Sequence, residues 1–131
     1  AYLEDTLYRY ILDTFEYFEK KSYSKKDIVK MTKILPSIFS FSEENLDKKI
    51  EFYKEIDLEI IVMKNTMYLM QSIELTYARY RFLNDLGINI NQDNYNKLFY
   101  NQKIFTKQYG TNNEELLNRY SYNQKVLIKG V

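Results

Sequence analysis

The chain has 131 residues, 19 Lys plus Arg against 18 Asp plus Glu, a net charge of +1, 45% apolar residues and 17% aromatics. That is enough apolar material for one packed domain over residues 1–131 and too much for a disordered chain. With no Cys, no His and no phosphate loop, the chain cannot build a disulfide, zinc ribbon, thiolate nucleophile or His-based triad; the expectation is a protein that is not an enzyme and carries no metal or cofactor.

Only 3 Gly and 1 Pro are present, too few for a β-sandwich or barrel, and the apolar spacing is helical nearly throughout. Leu3, Leu7, Ile11, Phe15 and Phe18 make one face of a first helix. Its acids, Glu4, Asp5, Asp13, Glu16 and Glu19, are not those of a signal peptide, so this stretch is expected not to be one. Ser24 is the expected N-cap of a short second helix with Ile28, Met31 and Leu35 inward, ending at Pro36. Ser42 opens a third, with Glu43 and Glu44 in its first turn and Leu46, Ile50, Tyr53 and Ile56 on the buried stripe. Asp57 is expected to start a fourth helix through Ile60, Ile61 and Met63, running on toward Leu69.

Ser72 caps a fifth helix with Leu75, Ala78, Phe82, Leu83 and Leu86 inward, closed by Gly87 in a left-handed conformation. A weaker helix holds Tyr95, Leu98 and Phe99; Ile104, Phe105 and Tyr109 continue it or form a separate turn before Gly110. Thr111 and Glu114 have capping-box spacing ahead of Leu116, Leu117 and Tyr120. The last eleven residues show no pattern. The longest apolar runs, Ile60–Met63 and Met67–Met70, are four residues, whereas a membrane span needs about 20, so a cytoplasmic protein that does not contact membrane is expected.

Residues 35–58 align with residues 65–88 at an offset of 30. Ser42 matches Ser72, Lys49 matches Arg79, Phe52 matches Phe82 and Glu55 matches Asp85, and the helix end Ile56-Asp57-Leu58 meets Leu86-Gly87-Ile88. A weaker copy precedes these, with Tyr17-Phe18 in place of Phe52-Tyr53. Two helices in about 30 residues mark an α-solenoid, whose units bury their apolar faces only by stacking. The expected fold is all-α: a short α-solenoid of about three helix-pair repeats, six or seven helices in all, which the pattern allows to be part of a longer array.

The unit resembles the repeat of the mTERF (mitochondrial transcription termination factor) family. Phe82-Leu83-Asn84-Asp85-Leu86-Gly87-Ile88 is similar to that family's turn, and Leu35-Pro36-Ser37-Ile38-Phe39 to its proline segment. The similarity covers roughly residues 15–110, and residues 26–58 are the nearest stretch. The proline position recurs as Thr66 and the glycine position is Asp57 in the earlier unit. The resemblance implies a curved helical solenoid with double-stranded nucleic acid as its partner.

Charge is split along the chain. Residues 20–33 hold six lysines and one acid, Asp27, while residues 43–59 hold seven acids and three lysines. Lys26, Lys30 and Lys33 fall on one side of the second helix, opposite Ile28, Met31 and Leu35. They are the candidate phosphate contacts, with Arg79 and Arg81 as a neighbouring pair; the same lysines also suit the solvated face of a surface helix. Tyr77 and Tyr80, interleaved with those arginines, are candidate recognition aromatics. Asp47, Glu51 and Glu55, four apart, could in principle hold a divalent cation, but a single helix leaves half the coordination shell unfilled. The expected function is therefore non-catalytic nucleic-acid binding through backbone phosphates. The alternative is an α-helical protein-interaction module with a tyrosine-rich face, from an A/T-rich bacterial or mobile-element genome, as the Phe, Tyr, Ile, Asn and Lys usage suggests.

Overall fold

The computed structural model describes residues 2–122, with side chains from residue 5 onward. The pattern-free end beyond residue 122 and the inward role given to Leu3 lie outside the described residues. Seven α-helices and three 3₁₀ helices, with no strand, make up the described chain. They are α1 (Tyr2–Lys20), α2 (Lys25–Ile34), η1 (Pro36–Ser40), α3 (Glu43–Glu55), α4 (Glu59–Lys64), η2 (Thr66–Met70), α5 (Ile73–Asp85), η3 (Tyr95–Phe99), α6 (Gln102–Tyr109) and α7 (Asn113–Arg119). This is a short all-α solenoid.

The internal repeat is a structural repeat residue for residue. Pro36–Ser40 and Thr66–Met70 are equivalent 3₁₀ helices, and Glu43–Glu55 and Ile73–Asp85 are equivalent long helices. Ser42 and Ser72 both cap by accepting from the backbone N–H three residues on, which satisfies an orphan donor of the first turn. Both long helices end in a left-handed residue, Asp57 at φ 59° and Gly87 at φ 83°. The chain then turns back through Leu58 N–H to Tyr53 carbonyl and Ile88 N–H to Leu83 carbonyl bonds. The weaker first copy closes in the same way: Ser22 has φ 71°, and Tyr23 N–H donates to the Phe18 carbonyl. A left-handed turn thus ends all three long helices, although only one of the three positions is glycine.

Within a unit each long helix packs on its short helix, α1 on α2 and α3 on α4, and α3 meets α5 in the next unit. The core runs along these seams through Phe18, Ile28, Ile38, Leu46, Phe52, Leu58, Val62, Leu69, Ala78, Leu83 and Leu98.

Several elements depart from the sequence reading. The fourth helix stops at Lys64, and the stretch to Leu69 is η2 instead, because Asn65 between them leaves helical geometry, at φ −114° and ψ 63°. Tyr95–Phe99 and Gln102–Tyr109 are separate elements, since Asn101 caps the second of them through Ile104 N–H. The last helix is capped by Asn112, which accepts from Glu115 N–H, rather than by Thr111. Leu86 is 54% exposed and Leu7 58% exposed, so neither is an inward residue. Where a short helix would follow α5, Asn91 and Asn94 bond to nearby backbone, Asn91 Oδ1 accepting from Asp93 N–H and Asn94 Oδ1 from Asn91 N–H. Asparagine side chains that compete for backbone groups in this way replace a helix by a turn. α7 packs on α5.

Two buried cations join successive units. Lys49 is 4% exposed and donates to the carbonyl of Leu69, near the end of η2, at 2.5 Å. Arg79, its repeat equivalent, is 1% exposed and donates to the carbonyls of Leu98 (3.0 Å) and Tyr100 (2.5 Å), at the end of η3. It also bonds Gln71 Oε1 at 3.3 Å and Asn113 Oδ1 at 3.1 Å. A helix end leaves carbonyls unpaired and carries partial negative charge, and a cation is the group that answers both. Lys49 lies 4.6 Å from the centre of the Phe41 ring and Arg79 4.4 Å from that of Phe105, which returns some of the attraction lost with water.

Arg79→Met is expected to destabilise the protein by about 2–3 kcal/mol, because the Tyr100 carbonyl loses the guanidinium and the Leu98 carbonyl keeps only Gln71 Nε2, and Lys49→Met by about 1–2 kcal/mol. Urea unfolding measures both; a midpoint shift no larger than that of an exposed Lys107→Met control would refute the clamp. Left-handed backbone favours glycine, so Asp57→Gly should stabilise by about 0.5 kcal/mol and Gly87→Ala should cost about 1 kcal/mol. Thermal melts of the two variants, shifting in opposite directions, check this pair.

Candidate nucleic-acid interface

Of the short helices α2 and α4, the positive charge is carried by α2, since α4 holds one acid and one lysine. On α2, Ser24 accepts from Asp27 N–H and starts a helix whose inward residues, Ile28 and Met31, are buried. With that face fixed, Lys25, Lys26, Lys30 and Lys33 all project outward and are exposed. They surround Val29, itself 40% exposed. Among the described residues, no hydrogen bond or ion pair holds Lys26, Lys30 or Lys33.

Between α2 and α4 lies a groove of about 360 Å³. Lys21, Lys30 and Lys64 stand around it, with Asp27 and Glu59 as its acids. The two acids are not equivalent, since Glu59 accepts a hydrogen bond from the Tyr23 hydroxyl. Lys21 is paired with Asp47 at 3.3 Å. Lys64 and Lys25 were not singled out by the sequence. Lys25 follows the N-cap Ser24 directly, but Lys64 comes into the group only because α4 packs beside α2.

The arginine and tyrosine candidates are placed differently. Arg79 is not a surface residue: its guanidinium is enclosed among the carbonyls of Leu98 and Tyr100 and is lowered to about 10 by desolvation. Tyr77, 1% exposed, is also interior, with its ring 6.4 Å from Phe52. Neither can touch an external ligand. Arg81 is half-buried, donating to the Tyr77 hydroxyl at 2.6 Å and lying 5.6 Å from the Tyr120 ring centre. It belongs to a cluster with Tyr77 and Tyr120, apart from the α2 ridge. Tyr80 is half-buried and edge-on to Phe52 at 5.9 Å.

The other tyrosines are also largely taken up in packing. Tyr17, Tyr53 and Tyr120 are buried, and Tyr23, Tyr68, Tyr95, Tyr100, Tyr109 and Tyr122 pack against the core. Three of the hydroxyls donate to carboxylates one repeat away: Tyr17 to Asp47 at 2.6 Å, Tyr23 to Glu59 and Tyr120 to Asp85. A tyrosine-rich binding face is therefore not what the described surface presents; Tyr8 and Tyr10 on α1 are its most exposed tyrosines. Of the acidic row, Asp47 is occupied by Tyr17 and Lys21, whose bonds hold its carboxyl below the usual range.

Comparison with known proteins gives one result. A family model described as mTERF matches residues 4–106. No curated protein and no solved structure matches the chain.

Burial raises the phenols of Tyr17, Tyr23, Tyr53, Tyr68, Tyr80, Tyr120 and Tyr122 above their usual 10.0, reinforced at Tyr17, Tyr23 and Tyr120 by the neighbouring carboxylate. The folded state therefore keeps protons that the unfolded chain loses above about pH 10, so stability is intact below that pH and falls as pH rises through it. Tyr53 alone should remove about 1.4 kcal/mol per pH unit in that window. Thermal melts from neutral pH to about pH 12 should show the decline, with the absorbance of these seven buried or half-buried phenolates appearing together with unfolding rather than before it. Full phenolate absorbance in a still-helical protein would contradict it.

Proposed function

The chain belongs to the mTERF family, and on that premise we propose that it is a non-catalytic nucleic-acid-binding helical-repeat module that grips the phosphates of a duplex through α2. The observation that supports this reading is the exposed lysine ridge, Lys25, Lys26, Lys30 and Lys33, on a helix whose opposite face is anchored in the core. From Lys26 to Lys33 the helix rises about 10 Å, and one strand of a duplex presents a phosphate about every 3.4 Å along its axis, so three ammonium groups can each meet a different phosphate. Such contacts release counterions and are indifferent to sequence. The near-zero net charge does not oppose this, because Asp27 is the one acid on α2 and the acids that balance its lysines lie on other elements, α1 and α3 among them.

Titration of labelled duplex DNA and RNA at several salt concentrations tests the proposal. Each phosphate contact contributes about −0.9 to the slope of log K against log salt, so three contacts give about −2.7. Lys26→Glu/Lys30→Glu/Lys33→Glu should abolish binding and change the thermal melt little, as the three side chains are exposed and only Lys33 lies in the last turn of its helix. Absence of binding by the parent protein at low salt, where the electrostatic attraction is greatest, would overturn the proposal.

A further inference from the structure

Phosphate contacts account for the lysines of α2 but not for the apolar lip beside them. The floor of the α2/α4 groove is made by Met31 and Met63, 3% and 5% exposed. Its lip is Ile60, 71% exposed, the most exposed large apolar side chain among the described residues. Val29 stands among the α2 lysines, and Lys30 borders both apolar spots. The sequence gives Ile60 no reason to face water, since its neighbours Val62 and Met63 suffice to fix α4 to the core. An exposed isoleucine over a methionine floor is a surface that gains by being covered.

The charge around it says by what. Lys21, Lys25, Lys26, Lys30, Lys33 and Lys64 surround the two apolar spots, against Asp27 and Glu59. We infer that this groove docks an acidic amphipathic segment of a protein partner. One or two bulky apolar side chains of the segment enter over Met31 and Met63 and cover Ile60, while carboxylates on its flanks meet Lys30 and Lys64. Apolar anchors at helical spacing in a methionine-floored groove are a recurring mode of peptide recognition. The lysine rim rejects basic and neutral segments of the same apolar content. The inference does not depend on nucleic-acid binding, although the two ligands would share Lys30 and so compete.

Fluorescence anisotropy with a labelled amphipathic peptide of about four helical turns, leucines on one face and glutamates flanking them, tests it. Two companion peptides replace either the leucines by serine or the glutamates by glutamine. The parent peptide should bind, and each companion should bind about tenfold more weakly or worse. Ile60→Ser should weaken the parent peptide about tenfold, as one covered isoleucine requires, and Lys64→Gln about threefold. Because both side chains are exposed, an unchanged thermal melt should accompany each loss. Equal binding of the serine peptide, or unchanged affinity in Ile60→Ser, would reduce the site to charge attraction and overturn the inference. So would an Ile60→Ser variant that loses single-stranded oligonucleotide binding but keeps the peptide, since the lip would then belong to nucleic acid.

Discussion

A buried cation on the carbonyl end of the next unit's 3₁₀ helix holds the array in register. Lys49 reaches Leu69 and Arg79 reaches Leu98 and Tyr100, the same contact made one repeat apart. Stripping water from a guanidinium is costly, and among the described residues no carboxylate bonds to Arg79. Four hydrogen-bond acceptors and the face of Phe105 compensate it instead. The geometry is demanding: a unit displaced along the solenoid would leave both the cation and the carbonyls unsatisfied. Apolar seams alone would tolerate such a slip, because one leucine fits much like another.

The surface groove belongs to the junction before these two. There α2 and α4 line one groove that Lys30 and Lys64 share, and the Tyr17–Asp47 and Tyr23–Glu59 bonds tie the two units at the edge of the seam. Tyr120–Asp85 makes a bond of the same kind between the end of α7 and α5. Tyrosine abundance thus serves packing: the ring fills the seam and the hydroxyl reaches a carboxylate of the neighbouring unit. What remains outward is charge, basic on α2 and acidic on α3.

Helix class, caps and repeat were legible residue by residue. Ser24, Ser42 and Ser72 cap as their positions predict, and the buried stripes of α2 and α3 are those read from spacing. Sequence reading starts the fourth helix at Asp57, whereas Asp57 is the left-handed residue that closes the third, as its alignment with Gly87 implies, and the fourth begins at Glu59. Arg79 was misjudged although a signal existed. It lies four residues after Leu75 and three before Phe82, on the inward stripe, and its repeat partner Lys49 lies three after Leu46 and four before Tyr53. Spacing put both cations inside; their charge argued for outside, and charge is the weaker guide when a helix end nearby offers carbonyls.

By itself the sequence determined the local structure: amphipathic helices, their caps, the repeat that makes them stack, and the lysine ridge of α2. These depend on neighbours within a few residues, where helical geometry fixes who faces whom. Only the tertiary structure decided which cations are structural and which are available, because burial is a property of the packed unit and not of the residue. It also decided that Lys64 and Ile60 join the α2 surface, which depends on how two helices about 30 residues apart meet. The +1 net charge sets both kinds of lysine and arginine alike against the acids. Folding sorts them, burying Lys49 and Arg79 where carbonyls compensate the lost water and leaving the ridge of α2 to meet a partner.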